Sequence, residues 1–208
     1  PFHRLLSIWL DDQDVQFIHA ALAIAENQGM LFVGSGGSGK STSSVASFLE
    51  GFDFLSDDFV ALAQTETGQM IGHSLYATCL IANDHISRFP ALAEIAHKPN
   101  HDIEHKSVAY LSDHPGGRFA RETPISAVIL PRVVDQPRTT YRPARSMEAM
   151  LALAPSSIII LPGAAPRSLD KLGDLVTTVP AFWLELGHDV GEIGPTVRRI
   201  SREVAGNA

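Results

Sequence analysis

The residues with the clearest chemistry form a glycine-rich run that fits the pattern G-x-x-x-x-G-K-[ST]. The run is Gly34-Ser35-Gly36-Gly37-Ser38-Gly39-Lys40-Ser41. Glycines in such a loop let successive main-chain N–H groups turn inward around phosphate oxygens, and the helix that follows directs its positive end at the same anion. We expect Lys40 to reach the β- and γ-phosphates of ATP or GTP, and the Ser41 hydroxyl to take one position around Mg²⁺. Together with Thr42, these residues are the predicted nucleotide-binding segment.

The segments on either side match the elements that this motif requires. Residues 29–33 predict a short buried strand, and residues 42–50 predict a helix that ends at Gly51. A flexible Gly/Ser linker is the alternative, but linkers are not bracketed by an apolar strand and an amphipathic helix. The sequence therefore predicts a phosphate-binding P-loop between a strand and a helix.

A pair of carboxylates, Asp57 and Asp58, follows the apolar run at 52–56 and begins seventeen residues after Lys40. This position predicts that the pair ends the strand beside the P-loop strand, where an open α/β sheet binds its ligands. Phosphoryl transfer to a hydroxyl needs one group to hold Mg²⁺ and one to accept the hydroxyl proton. Such a pair is by itself often a solvated turn or a helix cap, but its distance from the P-loop favours a catalytic role.

With these motifs the chain resembles the HPr kinase/phosphorylases, which have the phosphoenolpyruvate-carboxykinase-like fold. That family combines a P-loop with an Asp-Asp pair at this spacing and with a histidine that ends an earlier strand. His19 stands fifteen residues before Gly34, at the matching offset. The run 51–58, and also residues 153–157 and 179–187, look similar to HPr-kinase-like proteins. Some of these proteins are encoded with lasso-peptide biosynthesis genes and phosphorylate a serine of the precursor peptide.

The resemblance implies a Mg²⁺-dependent kinase that transfers the γ-phosphoryl group of ATP or GTP to a serine hydroxyl of a peptide or protein, with the lasso-peptide precursor as one such acceptor. Asp57 would be the base, Asp58 a Mg²⁺ ligand, and His19 a neighbour of the transferred group. Taken alone, a histidine at a strand end is more often an ordinary core or rim residue. HPr kinases carry an acidic residue after the Asp-Asp strand for the reverse reaction. Residues 72–79 contain none, so phosphorylase activity, and HPr as the acceptor, are not expected.

Length, composition and net charge limit the classes of protein to which this chain can belong. The 208 residues are 45 % apolar and predict one catalytic domain over 1–208, and a start at Pro1 leaves room for upstream residues. The net charge of −7 argues against a general nucleic-acid surface. No apolar run reaches the length of a membrane span. An ATP-type loop and the single Cys79, expected in the core, favour the cytoplasm. A homo-oligomer is left open.

The remaining pattern predicts an α/β domain with a mixed sheet. The expected strands are 5–10, 15–25, 52–55, 58–62, 107–111, 125–130 and 179–186, and the expected helices are 87–96, 146–153, 168–177 and 190–204. The spacing of His97, His101 and His105 would give a zinc-binding face on a helix, but Pro99 opposes a helix there and a mobile polar loop is the better prediction. Four cations are weak candidates for substrate contacts, with plain surface charge as the simpler interpretation: Lys106, Arg118, Arg121 and Arg132.

Two other classes of function stay open. Small-molecule kinases of the shikimate or gluconate type carry an aspartate at a similar distance after the P-loop lysine. Those enzymes usually begin with the P-loop strand, whereas two strands are predicted before residue 29 here. A regulator that binds nucleotide without catalysis would have no need of a base at Asp57, which argues against that class.

Overall fold

The computed structural model describes residues 2–83, 85–97, 105–155, 157 and 166–206. Among these residues the helices are α1 (Phe2–Asp12), α2 (Lys40–Leu49), α3 (Ser146–Ala154), α4 (Pro166–Thr178) and α5 (Ile193–Gly206). The strands are β1 (Gln16–Ile18), β2 (Ala21–Ala25), β3 (Gln28–Phe32), β4 (Asp53–Ser56), β5 (Val60–Gln64), β6 (Met70–His73), β7 (Thr78–Ala82), β8 (Ala96–His97), β9 (Lys106–Tyr110), β10 (Glu122–Val133), β11 (Thr140–Ala144) and β12 (Ala181–Leu186).

The large sheet is mixed, as the sequence predicts. Its strands lie in the order β1-β5-β6-β10-β3-β2-β4, and β12 joins β10 and β11. Strands β3, β10 and β12 run parallel, while the other pairs are antiparallel. Strand β10 is long enough to serve two neighbourhoods, because its first residues pair with β6 and its later residues pair with β3 and β12. A separate small sheet has the order β7-β9-β8.

Helices cover both faces of the sheet around the P-loop strand. Met30 and Phe32 of β3 point into a core that contains α2 and α5, whereas Leu31 and Val33 point into a core that contains α3 and α4. Successive side chains of a strand point to opposite faces, so this alternation is the expected one for a strand that is buried on both sides. The double burial fixes the carboxyl end of β3, from which the P-loop begins.

Three of the predicted elements are wrong. Residues 5–10 lie in α1, where Leu6 and Leu10 pack towards Phe17, because a short apolar run does not by itself distinguish a helix from a strand. The predicted strand 15–25 is interrupted at His19 and Ala20 and forms β1 and β2. Residues 87–96 form two short 3₁₀ turns around Pro90, which cannot donate a main-chain hydrogen bond, and not an α-helix.

The neighbour of the P-loop strand also differs from the prediction. Strand β4, which precedes the acidic pair, is separated from β3 by β2. The reason is that β2 and β3 form a hairpin through Glu26 and Asn27, both with positive φ. The predicted helices over α3, α4 and α5 and the predicted strand over β12 are confirmed within a few residues.

Candidate active site

The P-loop connects the carboxyl end of β3 to the first residue of α2. Gly39 occupies the N-cap of α2 with φ 105°, and a Cβ atom there would lie 2.3 Å from Leu186 Cδ1. The dihedral angle therefore favours glycine at this position, and a larger residue would also displace the end of the Leu186 side chain. No side chain caps the helix. The first N–H groups of a helix lack partners within it, so this end of α2 suits an anion.

The Lys40 side chain is buried beside the P-loop. Its Nζ donates to the carbonyl oxygens of Gly34 at 2.7 Å and Ser35 at 3.2 Å. Burial lowers the pKa of Lys40, and the nearby charges of Asp57 and Asp58 oppose that shift. The ammonium is thus held where a phosphate chain in the loop would lie.

The other candidate residues occupy two corners at which the chain leaves one pair of strands and enters the next. Between β1 and β2 the corner holds His19, and between β4 and β5 it holds Asp57 and Asp58. Ile18 of β1 pairs with Val60 of β5, while Leu22 of β2 pairs with Ser56 of β4. The two corners therefore face each other. His19 Nδ1 lies 3.3 Å from Asp58 Oδ1.

An aromatic contact supports this arrangement. The Phe59 ring stacks on Phe17 with centroids 4.8 Å apart and meets the His19 ring edge-on at 5.4 Å. Burial is the main cause that lowers the pKa of His19, and Lys40 adds to it, whereas Asp58 acts in the opposite direction. The balance favours a neutral imidazole at pH 7.

The two aspartates have different surroundings. Asp57 is 1 % exposed and its Oδ2 accepts from the Leu80 N–H at 3.4 Å, while its Oδ1 has no hydrogen-bond partner among the described residues. Burial, with a further contribution from the Asp58 charge, raises the pKa of Asp57 to about 7, although the Ser41 hydroxyl acts to lower it. The Asp58 side chain is 35 % exposed. Asp57 is thus the deeper group, behind Ser41.

A cavity of about 320 Å³ brings these residues together. The catalytic candidates His19, Lys40, Ser41 and Asp58 line one part of it. The lining also includes Thr42, Ile193 at the start of α5, and Val134 and Gly187, which directly follow β10 and β12. His85 and Arg88, which no local sequence pattern marks, follow β7 and also line the cavity.

The four cations considered for substrate contacts lie in different places. Lys106 lines the cavity, whereas Arg118 pairs with Asp53 and Arg132 pairs with Glu185 at 2.5 Å. Arg121 is exposed and is not part of the cavity wall. The predicted core position of Cys79 is confirmed.

The described side chains differ in how well they suit a metal ion. No group of three or more His, Cys, Asp or Glu side chains suited to a metal ion occurs in the described part of the chain. His97 lies in strand β8 and His101 lies outside the described residues, so the helical zinc face is not supported. A hydroxyl at Ser41 and carboxylates at Asp57 and Asp58 do fit Mg²⁺, which prefers oxygen ligands and keeps several waters.

The fold is similar to that of a solved protein, the HPr(Ser) kinase/phosphatase from Coxiella burnetii. The similarity covers 92 % of this chain and 94 % of that chain, with a TM-score of 0.52 and 17 % sequence identity. This chain has an HPr-kinase-like fold. No family model and no curated protein matches the sequence. Among the described residues, no helix is both long and apolar enough to cross a bilayer.

Proposed function

We propose that the protein is a Mg²⁺-dependent kinase that transfers the γ-phosphoryl group of ATP or GTP to a serine hydroxyl of a peptide or protein. The observation that carries this proposal is the meeting of the P-loop residues Lys40 and Ser41 with His19 and Asp58 around one cavity. Residues 1–208 would act as one catalytic domain, and the HPr-kinase-like fold supports the same assignment.

Residues 34–42 would hold the phosphates. Main-chain N–H groups of the loop and of the first turn of α2 would bind the β-phosphate, and the Lys40 ammonium would exchange its carbonyl partners for β- and γ-phosphate oxygens. Ser41 and Asp58 would hold Mg²⁺, which supplies neutralisation of the charge on the phosphates. His19, beside Asp58, would stand next to the transferred group.

Asp57 would serve as the base. The oxygen of the serine hydroxyl attacks the γ-phosphorus, its proton passes to the Asp57 carboxylate, and the bond from the γ-phosphorus to the β–γ bridging oxygen breaks to release the nucleoside diphosphate. A pKa of about 7 suits this role, because a general base works best when its pKa is near the working pH. Since Asp57 lies behind the cavity wall, the proton would travel through one water molecule or after a small shift of Ser41.

The resemblance of the run 51–58 to kinases encoded with lasso-peptide genes supports a peptide serine, and a lasso-peptide precursor is the acceptor that we propose within that class. Strands β1 and β2 come before the P-loop strand, which does not fit a shikimate-type kinase. The need for ATP and the single buried Cys79 support a cytoplasmic location.

The direct test is intact-mass measurement of candidate precursor peptides after incubation with ATP and Mg²⁺. We expect one phosphate on a serine, stable to mild acid, whereas a phosphohistidine would be lost. Shikimate and gluconate serve as competing acceptors in parallel reactions. Phosphate on one of these metabolites, with every peptide unmodified, would replace the peptide-kinase assignment with the small-molecule class.

A further inference from the structure

The acidic corner contains an unusual backbone conformation. Asp58 has φ 67°, and the N–H of Phe59 donates to the carbonyl oxygen of Asp57 at 2.8 Å, which closes a three-residue turn with Asp58 at its centre. Turns of this kind with a positive φ are rare and strained, even though aspartate tolerates the left-handed region better than most residues. Such a conformation persists only where the surrounding structure holds it.

One side chain bridges this turn. Ser56 is fully buried and directly precedes the two aspartates. Its Oγ donates to the carbonyl oxygen of Phe59, the residue that follows them, at 2.6 Å. The Ser56 Oγ also accepts hydrogen bonds from the N–H groups of Leu75 and Tyr76, each at 3.3 Å. A serine hydroxyl has one proton to donate and two lone pairs, so all of its hydrogen-bonding capacity is used. The hydroxyl thereby joins the turn to the segment 74–77, between β6 and β7.

We propose that Ser56 is a positioning residue that holds the turn at Asp58 and so directs the Asp58 carboxylate towards His19 and the cavity. This proposal rests on the proposed kinase function for its effect on the reaction. Ser56 itself does not touch the cavity. Its effect is exerted through the backbone of residues 57–59, which the His19 side chain also contacts at Asp58.

The consequence of losing the hydroxyl follows from the same contacts. In Ser56→Ala, the carbonyl of Phe59 and the N–H groups of Leu75 and Tyr76 lose a partner in a partly buried region. Unpaired buried polar groups are costly, so the backbone would shift to reach water or new partners. The turn would then relax away from its positive φ. The Asp58 carboxylate would move while the P-loop, which belongs to other elements, would stay in place.

The first test separates catalysis from nucleotide binding. We expect Ser56→Ala to lower kcat by about tenfold or more, since small misplacements of reacting groups are that costly, with the KM for ATP changed by less than about twofold. Ser56→Thr keeps the hydroxyl and should recover most of kcat. Ser47→Ala is the matched control, because Ser47 is also fully buried and donates to a main-chain carbonyl, that of Ser43 at 2.8 Å, but inside α2. Its kcat should match the wild type.

A second measurement does not depend on activity. Amide hydrogen exchange of Leu75 and Tyr76 should become faster in Ser56→Ala and stay unchanged in Ser47→Ala. Exchange that is independent of Ser56, or a wild-type kcat in Ser56→Ala, would overturn the positioning role. A wild-type protein that phosphorylates no acceptor, but whose exchange depends on Ser56 as described, would instead overturn the proposed function and leave the role of Ser56 in holding the turn supported.

Discussion

His19 Nδ1 and Asp58 Oδ1 lie 3.3 Å apart although the two residues belong to different corners of the sheet. The contact exists because β1 pairs with β5 on one side of the corners and β2 pairs with β4 on the other. It places an imidazole beside a carboxylate at the edge of the cavity that also holds Lys40 and Ser41. Substitutions at these four positions and at Asp57 should therefore affect distinguishable steps of one reaction.

Lys40→Ala should weaken ATP binding or abolish turnover. The substitution removes a buried ammonium that already contacts the loop carbonyls, and charged hydrogen bonds of this kind contribute roughly tenfold or more to an equilibrium. Calorimetric titration with a Mg²⁺–ATP analogue and steady-state kinetics would measure the two effects. Lys171→Ala is a suitable control, since Lys171 pairs with Asp14 outside the cavity. Unchanged binding and turnover in Lys40→Ala would exclude the P-loop assignment.

Asp57→Asn and Asp58→Asn should have different phenotypes. Loss of the proposed base should lower phosphoryl transfer by about 10² or more while nucleotide binding stays nearly intact. Asp58→Asn should raise the Mg²⁺ concentration needed for half-maximal rate. The experiment is a Mg²⁺ titration of the transfer rate for each variant. Exchanged phenotypes would assign the base to Asp58, and wild-type rates in both would remove the acidic pair from the mechanism.

His19→Ala should lower kcat without a comparable loss of nucleotide affinity, because His19 lies beside Asp58 and not in the P-loop. We expect a decrease of about tenfold or more, in the range for a group that contacts the transferred phosphoryl. His85→Ala offers a comparison within the same cavity wall. Equal effects of the two substitutions on kcat would show that His19 has no special place in the reaction.

Burial of Asp57 should make the metal-free protein less stable at higher pH. The folded-state pKa of about 7 lies above the ordinary value of 3.8. A group whose pKa is raised by folding contributes its full stability below the unfolded value and loses it as pH rises through the folded value. At pH 8.5 in EDTA, the free energy of unfolding of Asp57→Asn should therefore exceed that of the wild type by on the order of a few kcal/mol. The variant should also have the higher Tm.

That advantage should shrink at pH 5.5, where the wild-type carboxyl is largely protonated and resembles an amide. Thermal unfolding of both proteins at the two pH values gives the comparison, and Asp53→Asn, at the start of the strand that Asp57 follows, provides a reference. A Tm difference that does not depend on pH would contradict the raised pKa.

The P-loop motif can be recognised in the sequence because its residues are contiguous. The glycine spacing, Lys40 and Ser41 belong to one local pattern, and the structure brings Lys40 and Ser41 together with His19 and Asp58 around one cavity, with Asp57 behind Ser41. The same sequence did not indicate that β2 lies between β3 and β4, because strand order depends on pairing between distant segments. Leu80, whose N–H contacts Asp57, and Ser56 have no pattern that marks them.

Helix α1 contains residues 5–10, which the sequence wrongly predicts as a strand. Five of the six residues 5–10 are apolar, with Leu5, Ile8 and Trp9 exposed and Leu10 buried, and so short an apolar run does not distinguish a helix from a strand. The prediction of one strand over residues 15–25 was wrong for another reason. Residues 15–25 read as one strand because both halves are apolar, and the break between them is set by the pairing of each half with a different partner.

The position of β10 in the chain has a consequence for biosynthesis. This strand lies between β6 and β3, yet it comes after both in sequence. On the ribosome, the P-loop strand and β6 are complete while the edges that β10 will cover are still open, and open edges favour association with other chains. A nascent chain that ends before residue 122 would hold every proposed catalytic residue and still be unable to close its sheet. The sheet that positions these residues is thus complete only after β10 has been made.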